Sequence, residues 1–198
     1  DLGNEKLAKY ADMYGLNEKS GIEIEESEPQ ISDALSVVSA IGQGTNNFTT
    51  VGLARYVTTV ANSGTCYDLT LLDKVTDTSG NLLVNYSANV RNTIDMPQSY
   101  WNAIHQGMRG VVQNKKYYQD FGVEVAGKTG TAEEDKSRPN HGLFVGYAPY
   151  DNPEVAMAIR IANGYSSDYA CQLSKQLMTV YFDLDENGAL TDSQTALS

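Results

Sequence analysis

Lys128-Thr129-Gly130-Thr131 sets a cation, two hydroxyls and a glycine in four consecutive residues. The string closes an alternating run, Val123-Glu124-Val125-Ala126-Gly127, that reads as a β-strand, and a second apolar run follows at residues 143–147. On a rigid strand these groups make a site for a carboxylate, with Lys128 supplying charge and the hydroxyls of Thr129 and Thr131 donating hydrogen bonds. Gly130 has no Cβ to hold a ligand's own backbone away from the strand. From average residue usage, such a string arises by chance in roughly one chain of this size in several hundred. A solvated strand end with a spare lysine is therefore the weaker reading.

At 198 residues the chain can bury a substantial core, and one domain is the default. Its 41% hydrophobic and 20% charged residues are those of a globular protein. A formal net charge of −11, with no lysine or arginine cluster, argues against nucleic acid as a partner. No apolar run in these 198 residues is long enough to cross a bilayer, and the lack of a signal peptide carries little weight in a sequence that reads as an excised piece. The chain begins at Asp1 without methionine and enters at once a helix-like segment over residues 2–14, as an excised piece of a longer protein would. Cys66 and Cys171 are far apart, and with His105 and His141 alone beside them a structural metal site is not expected. A disulfide and two buried thiols both remain open.

Leu2, Leu7, Ala8, Tyr10, Ala11 and Tyr14 recur at helical spacing before Gly15. A short apolar segment over 34–41 stops at Gly42-Gln43-Gly44. Thr49 or Thr50 caps a helix over 51–62, with Leu53, Ala54, Val57, Val60 and Ala61 inward. Residues 69–76 and 81–86 flank Asp77-Thr78-Ser79-Gly80 as a hairpin. Pro97 opens a helix to about Val112 with Trp101, Ile104, Met108 and Val111 on one face. A polar loop over 133–140, strands over 143–147 and 155–162, and a helix from Asp168 to about Phe182 complete the pattern.

Five segments in register resemble one family, the penicillin-binding proteins, specifically the C-terminal half of a class B transpeptidase domain. They are Leu2-Gly3-Asn4-Glu5-Lys6-Leu7 with Tyr14-Gly15-Leu16, Ala40-Ile41-Gly42-Gln43-Gly44, Thr59-Val60-Ala61-Asn62-Ser63-Gly64, Ala126 through Ala132, and Gly142 through Pro149. The resemblance covers residues 1 to about 182 and leaves 183–198 as an acidic C-terminal tail. It implies an α+β fold, an antiparallel sheet with packed helices, lacking the N-terminal half of the domain. The family carries three signatures, S-x-x-K with the nucleophilic serine, S-x-N, and K-T-G. Only the third is present, since no serine here is followed three residues later by lysine. Ser79-Gly80-Asn81 and Ser87-Ala88-Asn89 match S-x-N but fall on the wrong side of the other segments, and the first is turn chemistry.

The resemblance implies serine acyl transfer on the D-Ala-D-Ala end of a peptidoglycan stem peptide, or on the β-lactam that mimics it. Lys128 would attract the terminal carboxylate and bias nearby protonation, and Thr129 and Thr131 would hydrogen-bond it. The Thr131 N–H would serve as an oxyanion donor, and Gly130 would let the peptide add to the strand edge. The parent would be an extracytoplasmic, membrane-anchored D,D-transpeptidase needing no cofactor, and the piece itself would be soluble and inactive. A β-lactam sensor domain and a non-catalytic wall or division scaffold are the alternatives.

Other residues carry less. Gln43 reads as structural, and His141 as a satisfied histidine in preference to one facing a cleft. Leu143 stands where the family often has an aromatic. Asp183-Leu184-Asp185-Glu186-Asn187-Gly188 opens like an EF-hand loop, but Gln194 replaces the closing glutamate, so a solvated acidic tail is the favoured reading over calcium binding. The strand over 155–162 is almost uniformly apolar, as a strand covered on both faces would be. Without a partner beyond it, its edge would favour a homodimer.

Overall fold

The computed structural model describes residues 3–185 apart from Leu35, together with Gly188 and Ala189. Two compact units divide at Asp95/Met96.

The first unit is built on α3 (Thr50–Ala61), preceded by α1 (Gly3–Met13) and the short α2 (Ser36–Ala40). Thr49 caps α3 as expected, its hydroxyl accepting from the Gly52 N–H at 3.0 Å. The helix ends at Ser63 and Gly64, both with φ in the left-handed region. Val57, Val60 and Ala61 are buried as the spacing predicts, but Leu53 and Ala54 are only half-buried. Arg55 goes inward instead, at 1% exposure: Nη2 donates to the carbonyls of Gly15 and Glu18 and Nη1 lies 3.7 Å from the Glu18 carboxylate, while Nε and Nη1 make no hydrogen bond. Gly15 is required there, since a Cβ would stand 2.7 Å from Arg55 Nε and 3.0 Å from Cys66 Sγ.

α1 buries no residue of its own. Its C-terminal end is held by polar contacts, Arg91 Nη1 to the Asp12 carbonyl at 3.2 Å and Asn92 Nδ2 to the Met13 carbonyl at 2.9 Å. Those two residues belong to β4 (Asn89–Thr93), which pairs antiparallel with β1 (Thr65–Asp68).

The expected hairpin is present but shorter, as β2 (Lys74–Thr76) with β3 (Leu82–Asn85). Residues 69–72 leave the strand because Glu23 takes the Thr70 hydroxyl at 2.5 Å and the Leu71 N–H at 2.9 Å. At the tip, the Asp77 carboxylate accepts the N–H groups of Ser79 and Asn81, each at 2.8 Å. Ser79-Gly80-Asn81 is thus absorbed in the turn.

The second unit is an antiparallel sheet in the order β5-β6-β7, formed by β5 (Ala126–Ala132), β6 (His141–Ala148) and β7 (Val155–Ile161). Helix α4 (Gln98–Gln113) packs against β5, and α5 (Ser167–Tyr181) packs on all three strands. The core gathers Val112, Val125, Phe144, Ala148, Ala170, Cys171 and Met178. On α4, Trp101 is buried as expected, but the second anchor is Val112, not Ile104 or Val111. Ser166, two residues before Asp168, caps α5, its hydroxyl accepting the Asp168 N–H at 3.1 Å.

Both cysteines are buried free thiols, Cys66 in the first unit and Cys171 in the second. Burial pushes the Cys171 thiol above its ordinary range. Among the described residues beyond α5, Asp183 and Ala189 are exposed and Gly188 is buried. Leu184 is buried, the Gly188 carbonyl accepts the Gly122 N–H at 2.6 Å, and Asp185 Oδ1 accepts the Ala189 N–H at 2.8 Å. Glu186, Asn187 and Gln194, on which the calcium question turns, lie outside the described residues, as does the stretch from 190 onward.

Candidate functional site

β5 is the outer strand of its sheet among the described residues, so one of its edges faces no neighbouring strand. Its register against β6 runs Ala126↔Tyr147, Gly127↔Gly146, Lys128↔Val145, Thr129↔Phe144, Gly130↔Leu143 and Thr131↔Gly142. Alternation therefore puts Thr129 and Thr131 on one face of β5 and Lys128 and Gly130 on the other. Lys128 and Thr131 are exposed, and Thr129 and Gly130 half-buried. The Lys128 ammonium lies along the strand and donates to the Thr129 carbonyl at 2.5 Å. All four residues named by the sequence are thus gathered at one accessible sheet edge.

The glycines here do two different jobs. A Cβ on Gly127 would fall 2.5 Å from Phe144 Cζ and 2.8 Å from the Val145 carbonyl oxygen, and one on Gly146 would fall 2.7 Å from Phe144 Cε1. The Phe144 ring thus lies across two glycines paired in register, which seats β5 firmly on β6. Gly130 is under no such demand: its Cβ would meet Leu143 at 3.5 Å, an ordinary contact. Packing within this chain leaves room for a side chain that the sequence does not place there.

Both ends of β5 are tied. Before it, Arg109 of α4 donates through Nη1 to the Val125 carbonyl at 3.3 Å and through Nη2 to the Glu124 carboxylate at 2.6 Å. After it, Glu134 reaches back to His141, Oε2 to Nε2 at 2.6 Å. His141 is 6% exposed, and its Nδ1 accepts the Asn163 N–H at 2.9 Å. In the polar loop between, Asp135 accepts the Ser137 N–H and hydroxyl, each at 2.8 Å, which holds its carboxyl below the usual range. Gln43, by contrast, contributes its backbone to a turn in the first unit, its carbonyl accepting from Asn46 Nδ2 at 3.1 Å. Neither Arg109 nor Glu134 was legible beforehand as part of this neighbourhood.

Residues 1–179 match the family model described as the penicillin binding protein transpeptidase domain. Penicillin-binding protein 2B of Streptococcus pneumoniae is 28% identical over 175 residues, covering 78% of this chain and 26% of that protein. The peptidoglycan D,D-transpeptidase MrdA of Haemophilus influenzae is 27% identical over 222 residues, covering 92% of this chain and 33% of the relative. Among solved structures, Pseudomonas aeruginosa PBP2 in complex with WCK 5153 superposes with a TM-score of 0.80 at 26% identity, over 97% of this chain and 47% of that one. Penicillin-binding protein A of Mycobacterium tuberculosis, as its imipenem acyl-enzyme complex, shares the fold at a TM-score of 0.77 and 22% identity, over 86% of this chain and 40% of that one. The chain thus spans about a quarter to a third of the length of the curated relatives it matches.

Proposed function

This chain belongs to the penicillin-binding protein transpeptidase domain family, and we propose that β5 is the substrate-docking edge of a peptidoglycan D,D-transpeptidase. The observation that carries this reading is Lys128-Thr129-Gly130-Thr131 on an outer strand whose free edge a peptide can extend. In the proposed complex, Lys128 attracts the terminal carboxylate of a D-Ala-D-Ala stem peptide, and the Thr129 and Thr131 hydroxyls hydrogen-bond it. The Thr131 N–H donates to the oxyanion that forms at the scissile carbonyl, an interaction worth roughly 3 kcal/mol in acyl-transfer enzymes.

The nucleophile comes from an S-x-x-K serine, which the 198 residues do not contain. That serine's oxygen attacks the carbonyl carbon, the amide bond to the last D-alanine breaks, and the released amine takes up the proton. An amine of a second stem peptide then attacks the ester, re-forming an amide and returning the serine. β-Lactams enter at the same edge and stop at the ester. The reading carries with it an extracytoplasmic, membrane-anchored parent, and association of isolated chains through the outer edge of β7.

Incubation with a fluorescent penicillin followed by denaturing electrophoresis tests this. The 198-residue chain alone stays unlabelled, and the same chain joined to a segment bearing S-x-x-K labels stoichiometrically. Labelling of the chain alone would place the nucleophile among these residues and overturn the assignment.

A further inference from the structure

Resting on the reading of β5 as the substrate edge, we propose that His141 and Glu134 form a bracket that positions the Thr131 end of β5 for reaction. The last register pair of the sheet, Ala132↔His141, lies one residue past Thr131, and residues 133–140 then leave the sheet as a long polar loop. Such loops are mobile unless tied. Here the tie is Glu134, two residues beyond the strand, whose carboxylate folds back onto the His141 ring at 2.6 Å.

The ring can hold it because it is itself fixed. Asn163 donates its N–H to Nδ1 at 2.9 Å, so Nδ1 carries the lone pair and Nε2 carries the hydrogen that Glu134 accepts. Arg160, paired in register with Leu143, brings Nη2 to 3.9 Å from the Glu134 carboxylate and so adds a cation to the same acceptor; its 3.1 Å approach to Nε2 sets two donors side by side and is no hydrogen bond in this tautomer. Asn163 belongs to the turn between β7 and α5, where the Tyr165 N–H also donates to the Asn140 carbonyl at 3.0 Å. One buried imidazole thus joins the loop after Thr131, the start of β6 and the turn into α5.

This assigns His141 a positioning role. It touches no substrate, but it limits how far the Thr131 N–H and hydroxyl drift from the reacting carbonyl. Misplacement by about 1 Å costs as much as a hundredfold in rate, so a loosened bracket is expected to cost roughly tenfold or more.

Glu134 is the discriminating position, because its side chain is 66% exposed and its removal leaves the sheet and core intact. In the transpeptidase that holds this chain together with its S-x-x-K serine, Glu134→Ala lowers the second-order rate constant for penicillin acylation about tenfold with unfolding unchanged. His141→Ala lowers it similarly, and the double variant is no worse than either single one. His141→Gln, which keeps one donor and one acceptor, restores most of the rate. In the 198-residue chain, amide hydrogen exchange over residues 132–136 rises in Glu134→Ala and His141→Ala.

A wild-type acylation rate in Glu134→Ala, or unchanged exchange, overturns the bracket. Faster exchange in a parent that penicillin never acylates leaves the bracket standing and overturns the transpeptidase reading instead.

Discussion

Two glycines three residues apart separate the demands of packing from those of the site. Gly127→Ala places a methyl 2.5 Å from Phe144 Cζ and 2.8 Å from the Val145 carbonyl oxygen. Carbon contacts normally lie at about 3.5–4.0 Å, so the overlap with the ring is about 1 Å. The ring can turn aside, but the carbonyl belongs to the β5–β6 ladder and cannot. Overpacking of this kind costs about 1–3 kcal/mol, and the stiffer unfolded chain offsets about 0.4–1 kcal/mol of it. A net loss of about 1–2 kcal/mol is expected.

Gly130→Ala meets only Leu143 at 3.5 Å and 3.9 Å, so its expected effect is neutral to a gain of about 0.5 kcal/mol. Urea unfolding reads both, followed by the fluorescence of Trp101, the chain's single tryptophan, which is 2% exposed on the helix that packs against β5. The midpoint shifts with an unchanged m-value give the two free energies. Equal destabilisation by the two substitutions would refute the assignment of Gly130 to the site, because packing would then account for both. In the S-x-x-K-containing protein, Gly130→Ala is expected to slow acylation about tenfold while the fold holds.

Lys128→Ala in that same protein is expected to cut the acylation rate well beyond any loss in thermal stability, since the lysine is exposed at the strand edge; a collapse of stability at an unchanged rate would make it structural. The 198-residue chain is expected to self-associate through β7, which pairs only with β6 among the described strands and carries Arg160 as its sole charge. Light scattering across a concentration series checks this, and a monomer at every concentration refutes it. The hairpin tip is expected to loosen in acid. The Asn81 side chain, with backbone N–H groups, holds the Asp77 carboxyl below its usual range, so its contribution is complete above the ordinary aspartate pKa of about 3.9 and is lost as pH falls through the depressed value. Protection of the Ser79 and Asn81 amides relative to their intrinsic exchange rates, followed across an acid titration, reads it, and a pH-independent protection would exclude the carboxylate as the holding group.

What could be read beforehand was whatever repeats over a short window. The strands around Lys128 and Phe144, the apolar run of β7 and the helices α3, α4 and α5 all announce themselves by period, and the Asp77 turn by composition. β1 and β4 do not. Thr65-Cys66-Tyr67-Asp68 and Asn89-Val90-Arg91-Asn92-Thr93 are short and polar, and only their pairing across the intervening hairpin makes them strands. Nothing in the sequence announces the burial of Arg55, because its acceptors, the carbonyls of Gly15 and Glu18, are distant in sequence and belong to the backbone, which leaves no trace in residue type. The same holds at the site. Lys128, Thr129, Gly130 and Thr131, the proposed substrate edge, are contiguous and stand out as a string, whereas Glu134, His141 and Asn163 meet only once β6 and β7 are folded together.

The placement of the two cysteines makes the chain its own two-channel stability meter. Each unit holds one thiol, Cys66 on β1 and Cys171 on α5, and both have 0% exposure. A thiol reagent in excess can reach either sulfur only through an opening of the unit that encloses it. The labelling time course therefore resolves into two phases, and replacing one cysteine by alanine identifies which phase belongs to which unit. Opening rates of the half that carries β5 and of the half that carries α3 can then be followed separately in a single unmodified sample, without attaching any reporter.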